Sequence, residues 1–344
     1  MHDLPALARF GGLVATDLRD VTSDPAALDS TGFWAVCADF DGRLVCARFG
    51  RVREEAVPAP RPGSWPGPAP MDWTSSLDHI AYTDGVRRIR AHIETGEVYQ
   101  ANLCRVLSAP ISAGADVDAL TALLARGNPA PYAGTIRLPD HGVEVATASP
   151  ELFLRRDGRV VESGPIKGTG RTEADLLDKD HAENVMIVDL VRNDLGVVCA
   201  TGSVTVPELC VVEKHPGLVH LVSTVRGELP EGAGWPELLD AAFPPGSVTG
   251  APKSSALRII DELETAPRGP YCGGIGWVDA DRGSGELAVG IRTFWIDRGP
   301  DGDFLRFGTG AGITWGSDPE REWRETELKA ARLLAVASGT YTDS

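Results

Sequence analysis

Apolar positions recur along the chain at two spacings, every second residue and every third or fourth, and these divide it into strands and helices. Residues 32–40 (GFWAVCADF) and 43–49 (RLVCARF) are β-rich runs around Asp41-Gly42, a dipeptide that tight hairpin turns favour. Residues 57–70 (VPAPRPGSWPGPAP) hold six prolines and predict an extended surface linker. Beyond it, residues 78–95 read as a helix with Ile80, Val86, Ile89 and Ile93 at helical spacing, closed by Gly96. Strands are expected at 98–106, 135–146, 151–163, 203–209, 217–226, 272–278, 286–296 and 303–307. Helices are expected at 178–194, 254–264 and 319–337. Many antiparallel-looking strands with helices between them indicate an α+β fold.

Composition narrows the functions open to such a fold. The 344 residues are 42% hydrophobic and 24% charged, enough for one large domain or two modest ones. Lys and Arg total 33 against 49 Asp and Glu, a net charge of −16. That balance argues against nucleic acid and anionic membrane as partners, because both are held by excess cationic side chains. No run approaches the roughly 20 apolar residues that span a bilayer. The opening MHDLPALARFGG has no basic segment followed by an apolar one, and none of the six cysteines forms a C-x-x-C pair. Reduced thiols in a cytoplasmic protein are the expectation.

Several short constellations could carry chemistry. Glu151 in Ser149-Pro150-Glu151 enters a strand and becomes a general acid if burial raises its pKa. Lys167 lies in Pro165-Ile166-Lys167-Gly168-Thr169-Gly170, where glycines allow close backbone approach and a desolvated amine becomes a nucleophile. Glu183 opens a helix. Glu322 and Glu325 share a helix face three residues apart, an oxygen-only arrangement suited to Mg²⁺. Gly308–Gly312 is a run of small residues between a strand and the last helix, able to present amides to an anion. Arg292 interrupts an apolar strand and calls for a carboxylate partner, from a substrate or from the protein. Tyr271 and His220 complete the set. Taken singly, each also fits a plainer reading: a strand-end Glu, a solvated turn Lys, a helix-end charge or a core His.

Taken together and in order, these segments resemble the chorismate-utilising enzyme family, over about residues 78–337. The motifs are GEVYQANL (96–103), SPELF (149–153), PIKGTGRT (165–172), KDHAENVMIVDLVRNDLG (179–196), HLVSTVRGEL (220–229), FPPGSVTGAPKSSALRIIDELE (243–264), RGPYCGGIGW (268–277), IRTFW (291–295) and GTGAGITWGSDPEREWRETELKA (308–330). The resemblance implies a sandwich of two large antiparallel sheets with outer helices. Residues 71–344 would form the chorismate-binding catalytic domain, with residues 1–70 packed on the same fold. Members that add water carry a lysine base where this chain has Gln100, so nitrogen chemistry is implied. The PIKGT form, with Lys167, matches the aminodeoxychorismate synthase branch, which leads to 4-aminobenzoate and folate.

The resemblance further implies roles. Mg²⁺ would be held by Glu183 and Glu325 with Glu322 nearby. Tyr271, Arg292 and the amides of Gly310, Ala311 and Gly312 would hold the enolpyruvyl carboxylate. Gln100, Gly168, Thr169 and His220 would line the ring. Glu151 would protonate the departing C4 hydroxyl, and Lys167 would attack C2. Lys253 would be among the local cations that offset the acidic field. Ammonia would come from a glutamine amidotransferase subunit or from solution. No Leu-Leu-Glu-Ser element marks a tryptophan site. An anthranilate synthase large subunit, an aminodeoxychorismate synthase of secondary metabolism and an inactive scaffold are the competing readings.

Overall fold

Pairing between strands distant in sequence builds the molecule. The structure, a computed structural model, describes residues 4–59, 64–170, 172–176, 178–215 and 218–341. The strands are β1 Leu7–Phe10, β2 Leu13–Thr22, β3 Phe33–Ala38, β4 Leu44–Glu54, β5 Thr74–Ser75, β6 Gln100–Pro110, β7 Tyr132–Leu138, β8 Val143–Ser149 and β9 Leu152–Asp157. They continue as β10 Val160–Gly164, β11 Ile166–Gly170, β12 Thr205–His215, β13 Leu218–Glu228, β14 Gly250–Ala251, β15 Gly274–Asp279, β16 Ser284–Val289, β17 Thr293–Gly299 and β18 Gly302–Ile313. The helices are α1 His79–Glu94, α2 Val117–Gly127, α3 Asp178–Val198, α4 Trp235–Ala242, α5 Lys253–Leu263 and α6 Pro319–Ala337.

One antiparallel run goes β12–β13–β10–β9–β16–β15–β3–β4–β2, with β11 also beside β13. The other goes β1–β7–β8–β17–β18–β6, with β5 and β14 added to β6. The β1–β2 hairpin joins them, so the two expected sheets are halves of one 18-stranded ribbon. Their apolar faces meet: Val36, Ile275 and Val289 from the first half share a core with Val106, Ile136 and Val145 from the second. Burying both faces against each other removes the apolar area that drives folding from water. None of the helices among the described residues is long and apolar enough to cross a membrane.

Local signals explain the elements, and some expectations change. The 32–49 hairpin forms as expected, with Gly42 at φ +97° in its turn. Asp78 caps α1, its carboxylate accepting the Ala81 N–H at 2.8 Å. The buried face of α1 is Tyr82, Val86 and Ile89, whereas Ile80 is 76% exposed, one residue off that face. The proline-rich segment has no helix or strand within residues 57–59 and 64–69, but it is more than a surface linker. Trp65 is buried, and its indole N–H donates to Ala337 O at 2.7 Å, at the end of α6. The expected strand 286–296 is two strands, because the chain breaks at Arg292, whose φ is +52°. The small-residue run 308–312 is not a turn: it lies inside β18, paired with β6 from Gly308↔Val106 to Gly312↔Asn102.

Candidate active site

β11 and β13 place the amine. Lys167 is in register with Leu221, and Thr169 with the buried His220; the Thr169 side chain lies outside the described residues. Between them Gly168 has φ +72°, and a Cβ there would stand 2.9 Å from Asp180 Cβ on α3. Only glycine allows this bulge against the helix.

Glu151, 5% exposed, lies just ahead of β9 with its backbone fixed on both sides. Its N–H donates to Ser149 Oγ at 3.2 Å, and its carbonyl accepts the Val289 N–H at 3.0 Å. Burial pushes its carboxyl up to about 7, against the opposing pull of the Ser247 hydroxyl, the Lys167 charge and the Ile166 N–H. Burial also pushes Lys167 below the usual lysine range. Glu151, Glu183 and Glu325 oppose that shift and the Lys329 charge assists it. A carboxyl that keeps its proton near neutrality therefore neighbours an amine that sheds its proton more readily than usual.

The carboxylates meet on the α6 side. Glu322 is pushed up by burial and by the charges of Glu325 and Glu183, although the Ser317 hydroxyl and Lys329 relieve it in part. Lys329, one turn beyond Glu325, pairs with it at 2.7 Å and donates to Gly310 O at 3.0 Å. Among the described residues no three His, Cys, Asp or Glu side chains stand close enough to enclose a metal ion. The donor chemistry nonetheless fits Mg²⁺, which takes few carboxylates and keeps several waters. The mutual crowding of Glu183, Glu322 and Glu325 is what a divalent cation would relieve.

The glycine strand forms another wall. Because Gly310 O faces Lys329, the strand alternation turns the amides of Gly308, Gly310 and Gly312 away from β6. The amide of Ala311 faces Leu103 in the ladder, and its methyl lies in the core, so this residue offers a ligand less than expected. A Cβ at Gly308 would fall 2.0 Å from the Tyr271 ring, whose hydroxyl is 3.9 Å from Cys104 Sγ. A Cβ at Gly312 would stand 3.0 Å from Gln100 Nε2. Gln100 is buried, with its amide 3.5 Å from Asn102 Oδ1. Arg292 is held below its usual pKa by burial and then by Arg332, and its guanidinium has no hydrogen bond or ion pair among the described residues. It is an uncompensated cation of the kind a ligand carboxylate satisfies. Lys253 is drawn off, bonding Asp194 at 2.9 Å and Ala242 O at 3.2 Å.

Three contributors escaped the sequence reading: Ser247, Lys329 and Asn184. Asn184, fully buried next to Glu183, donates to Leu221 O at 3.2 Å and accepts from Ser223 Oγ. Leu221 is the register partner of Lys167, and Ser223 N–H donates to Pro165 O at 3.1 Å. One amide thus ties the helix of Glu183 to the strand pair of Lys167. Lys329 was findable from its i,i+4 spacing to Glu325.

An acid, an amine, a carboxylate cluster and an anion-ready wall converge from distant segments. The sequence model for chorismate binding enzymes matches residues 33–335, and the chain belongs to that family. Among its relatives, anthranilate synthase component 1 1 of Haloarcula marismortui is 42% identical over 76% of this chain and 54% of its own length. Aminodeoxychorismate synthase component 1 of Salmonella typhimurium is 36% identical over 95% of this chain and 73% of its own length. The chain thus spans about half of the first relative and about three quarters of the second. The crystal structure of anthranilate synthase component I from Streptococcus pneumoniae superposes with a TM-score of 0.79, covering 97% of this chain and 93% of that one. At 22% identity that likeness speaks for the fold alone.

Proposed function

We propose that this chain aminates chorismate at C4, giving 4-amino-4-deoxychorismate for 4-aminobenzoate and folate synthesis in the cytoplasm. Ammonia comes from a glutamine amidotransferase partner. The names of the relatives support both this reaction and anthranilate formation. The observation that favours amination at C4 is Lys167 beside the buried, proton-holding Glu151.

Arg292, Tyr271 and the outward amides of Gly310 and Gly312 bind the enolpyruvyl carboxylate. Gln100 and His220 border the ring. Glu183 and Glu325, with Glu322, would hold Mg²⁺, which supplies positive charge for the ring carboxylate. Neutral Lys167 attacks C2, both ring double bonds shift by one position, and the C4 hydroxyl leaves as water with the Glu151 proton. The adduct is a secondary ammonium. Ammonia then adds at C4, the C2–N bond breaks to release neutral Lys167, and the added nitrogen returns a proton to Glu151. Atoms and protons balance as chorismate plus ammonia giving the product and water.

Incubation with chorismate, Mg²⁺ and an ammonium salt, followed by a 4-amino-4-deoxychorismate lyase, is expected to yield 4-aminobenzoate. Direct release of anthranilate would instead establish the competing reaction at C2.

The pH dependence has a defined form. The active species carries a neutral Lys167 and a protonated Glu151. Its fraction peaks between the two pKa values and falls on either side. The kcat/KM profile is therefore bell-shaped, with one inflection at about 7 belonging to Glu151. In Glu151→Gln the residual activity is expected to fall by roughly 10²–10⁴-fold and to lose that inflection. An inflection retained in the variant would assign it to another group.

A further inference from the structure

Arg292 stands between β16 and β17 with φ +52°, a left-handed conformation that residues with a Cβ rarely adopt. Such a conformation persists where the surroundings fix it. The orientations of the peptide groups before and after a residue set its φ and ψ, and here both groups are held by other residues. On the C-terminal side, the Arg292 carbonyl accepts the Ala148 N–H at 3.0 Å. On the N-terminal side, the Ile291 carbonyl accepts the Thr293 hydroxyl at 3.0 Å. The Thr293 hydroxyl also lies 2.8 Å from that of Thr147, its register partner on β8. A hydroxyl has a single proton, and that of Thr293 points to Ile291, so Thr147 is the donor in the pair. The two hydroxyls form a directed relay from β8 to the peptide ahead of Arg292. Both threonines are fully buried, and their chain neighbours Ala146, Ala148 and Phe294 belong to an apolar core. Valine has nearly the same shape, suits a strand as well and leaves no hydroxyl to desolvate. Packing alone therefore does not call for threonine at either position.

From this geometry we propose that Thr293, backed by Thr147, is a positioning residue that aims Arg292 at the enolpyruvyl carboxylate. The proposal rests on the reading above that gives Arg292 this ligand. The Arg292 guanidinium has no hydrogen bond or ion pair among the described residues, so the backbone beneath it decides where the charge stands. Without the Thr293 hydroxyl, the peptide between Ile291 and Arg292 is free to rotate. Arg292 then relaxes toward the right-handed or extended conformations common to L residues, and its Cβ and guanidinium move with it. An arginine and a carboxylate meet through paired N–H···O bonds in a fixed plane, so a displaced guanidinium loses affinity. The reacting atoms C2 and C4 face Lys167 and Glu151, which the relay does not touch. The loss therefore falls on binding of chorismate rather than on its conversion.

The test removes the hydroxyl and keeps the shape. Thr293→Val, Thr293→Ser, Arg292→Met and the double variant Thr293→Val with Arg292→Met are compared with the parent full-length protein. Consumption of chorismate is followed with Mg²⁺ and ammonium chloride, and circular dichroism establishes that each variant is folded. In Thr293→Val the KM for chorismate is expected to rise at least about tenfold while kcat stays within about threefold. Thr293→Ser restores the hydroxyl and is expected to stay within about twofold of the parent KM. A packing role alone gives the opposite order, because serine loses the methyl group and valine keeps it. Arg292→Met raises the same KM, and adding Thr293→Val to it changes the value by less than about twofold, since the aimed group is already gone. An unchanged KM in folded Thr293→Val, or an undiminished further rise in the double variant, overturns the proposal. Should Thr293→Val misfold, Thr147→Val, which removes the donor to Thr293, is expected to raise the KM at least about threefold, and an unchanged KM there overturns it. A chorismate KM unaltered by Arg292→Met is a separate outcome, which removes the assignment of Arg292 to the carboxylate.

Discussion

Replacing Lys167 by alanine is expected to lower turnover of chorismate with ammonia by roughly a thousandfold or more, since the step that displaces the C4 hydroxyl loses its nucleophile. The fold should survive. Lys167 is only partly buried, and the bulge beside it depends on Gly168 rather than on the lysine. Chorismate affinity should change little, because Arg292, Tyr271 and the glycine amides remain. Steady-state kinetics with a lyase-coupled assay gives both quantities. Unaltered kcat in the alanine variant would mean that ammonia attacks the ring directly.

The largest expected loss of stability lies behind the glycine strand. Arg268 is 1% exposed and grips Glu264 with Nε at 2.8 Å and Nη2 at 2.7 Å. It also donates to Val248 O at 2.9 Å and Asn102 O at 3.2 Å, and lies over the Phe40 ring. Glu264 in turn accepts the Cys104 N–H at 2.8 Å. These bonds join β6, which backs Gly310 and Gly312, to the loop of Ser247. Arg268→Ala leaves Glu264 buried without its cation and is expected to cost about 3–5 kcal/mol in urea unfolding. Replacing the pair together, Arg268→Met with Glu264→Leu, should recover much of that loss, because no uncompensated charge remains. A cost below about 1 kcal/mol for Arg268→Ala would show that the pair does not hold these segments together.

Much of this architecture was legible in the sequence, wherever the signal is local. The α1 start at Asp78, the turn at Asp41-Gly42 and the long α3 and α6 patterns follow from capping, turn chemistry and periodicity. Two helices were not anticipated. α4 is only eight residues long, and the apolar run of α2 lacks a charged face long enough to stand out from a strand. The expected strand stops at 307, short of the glycine run, because the partner strand lies about two hundred residues away and nothing local shows that Gly308–Gly312 will pair with β6. The same distance hides the site. Lys167 and Glu183 are brought together by the pairing of β11 with β13 and the Asn184 clamp, and the pairing of β9 with β10 sets Glu151 beside them. The order of motifs along the chain revealed the family, whereas spacing alone did not reveal Ser247 or the inward-facing amide of Ala311.

The central claim is that Lys167 bonds to the ring while the nitrogen donor is withheld. Intact-protein mass spectrometry after mixing with chorismate and Mg²⁺, without ammonia, tests it directly. The account predicts a mass gain equal to chorismate less one water, mapped by digestion to Lys167 and discharged when ammonium is added. An enzyme that turns over with ammonia but shows no such adduct, or carries it on another side chain, would contradict it.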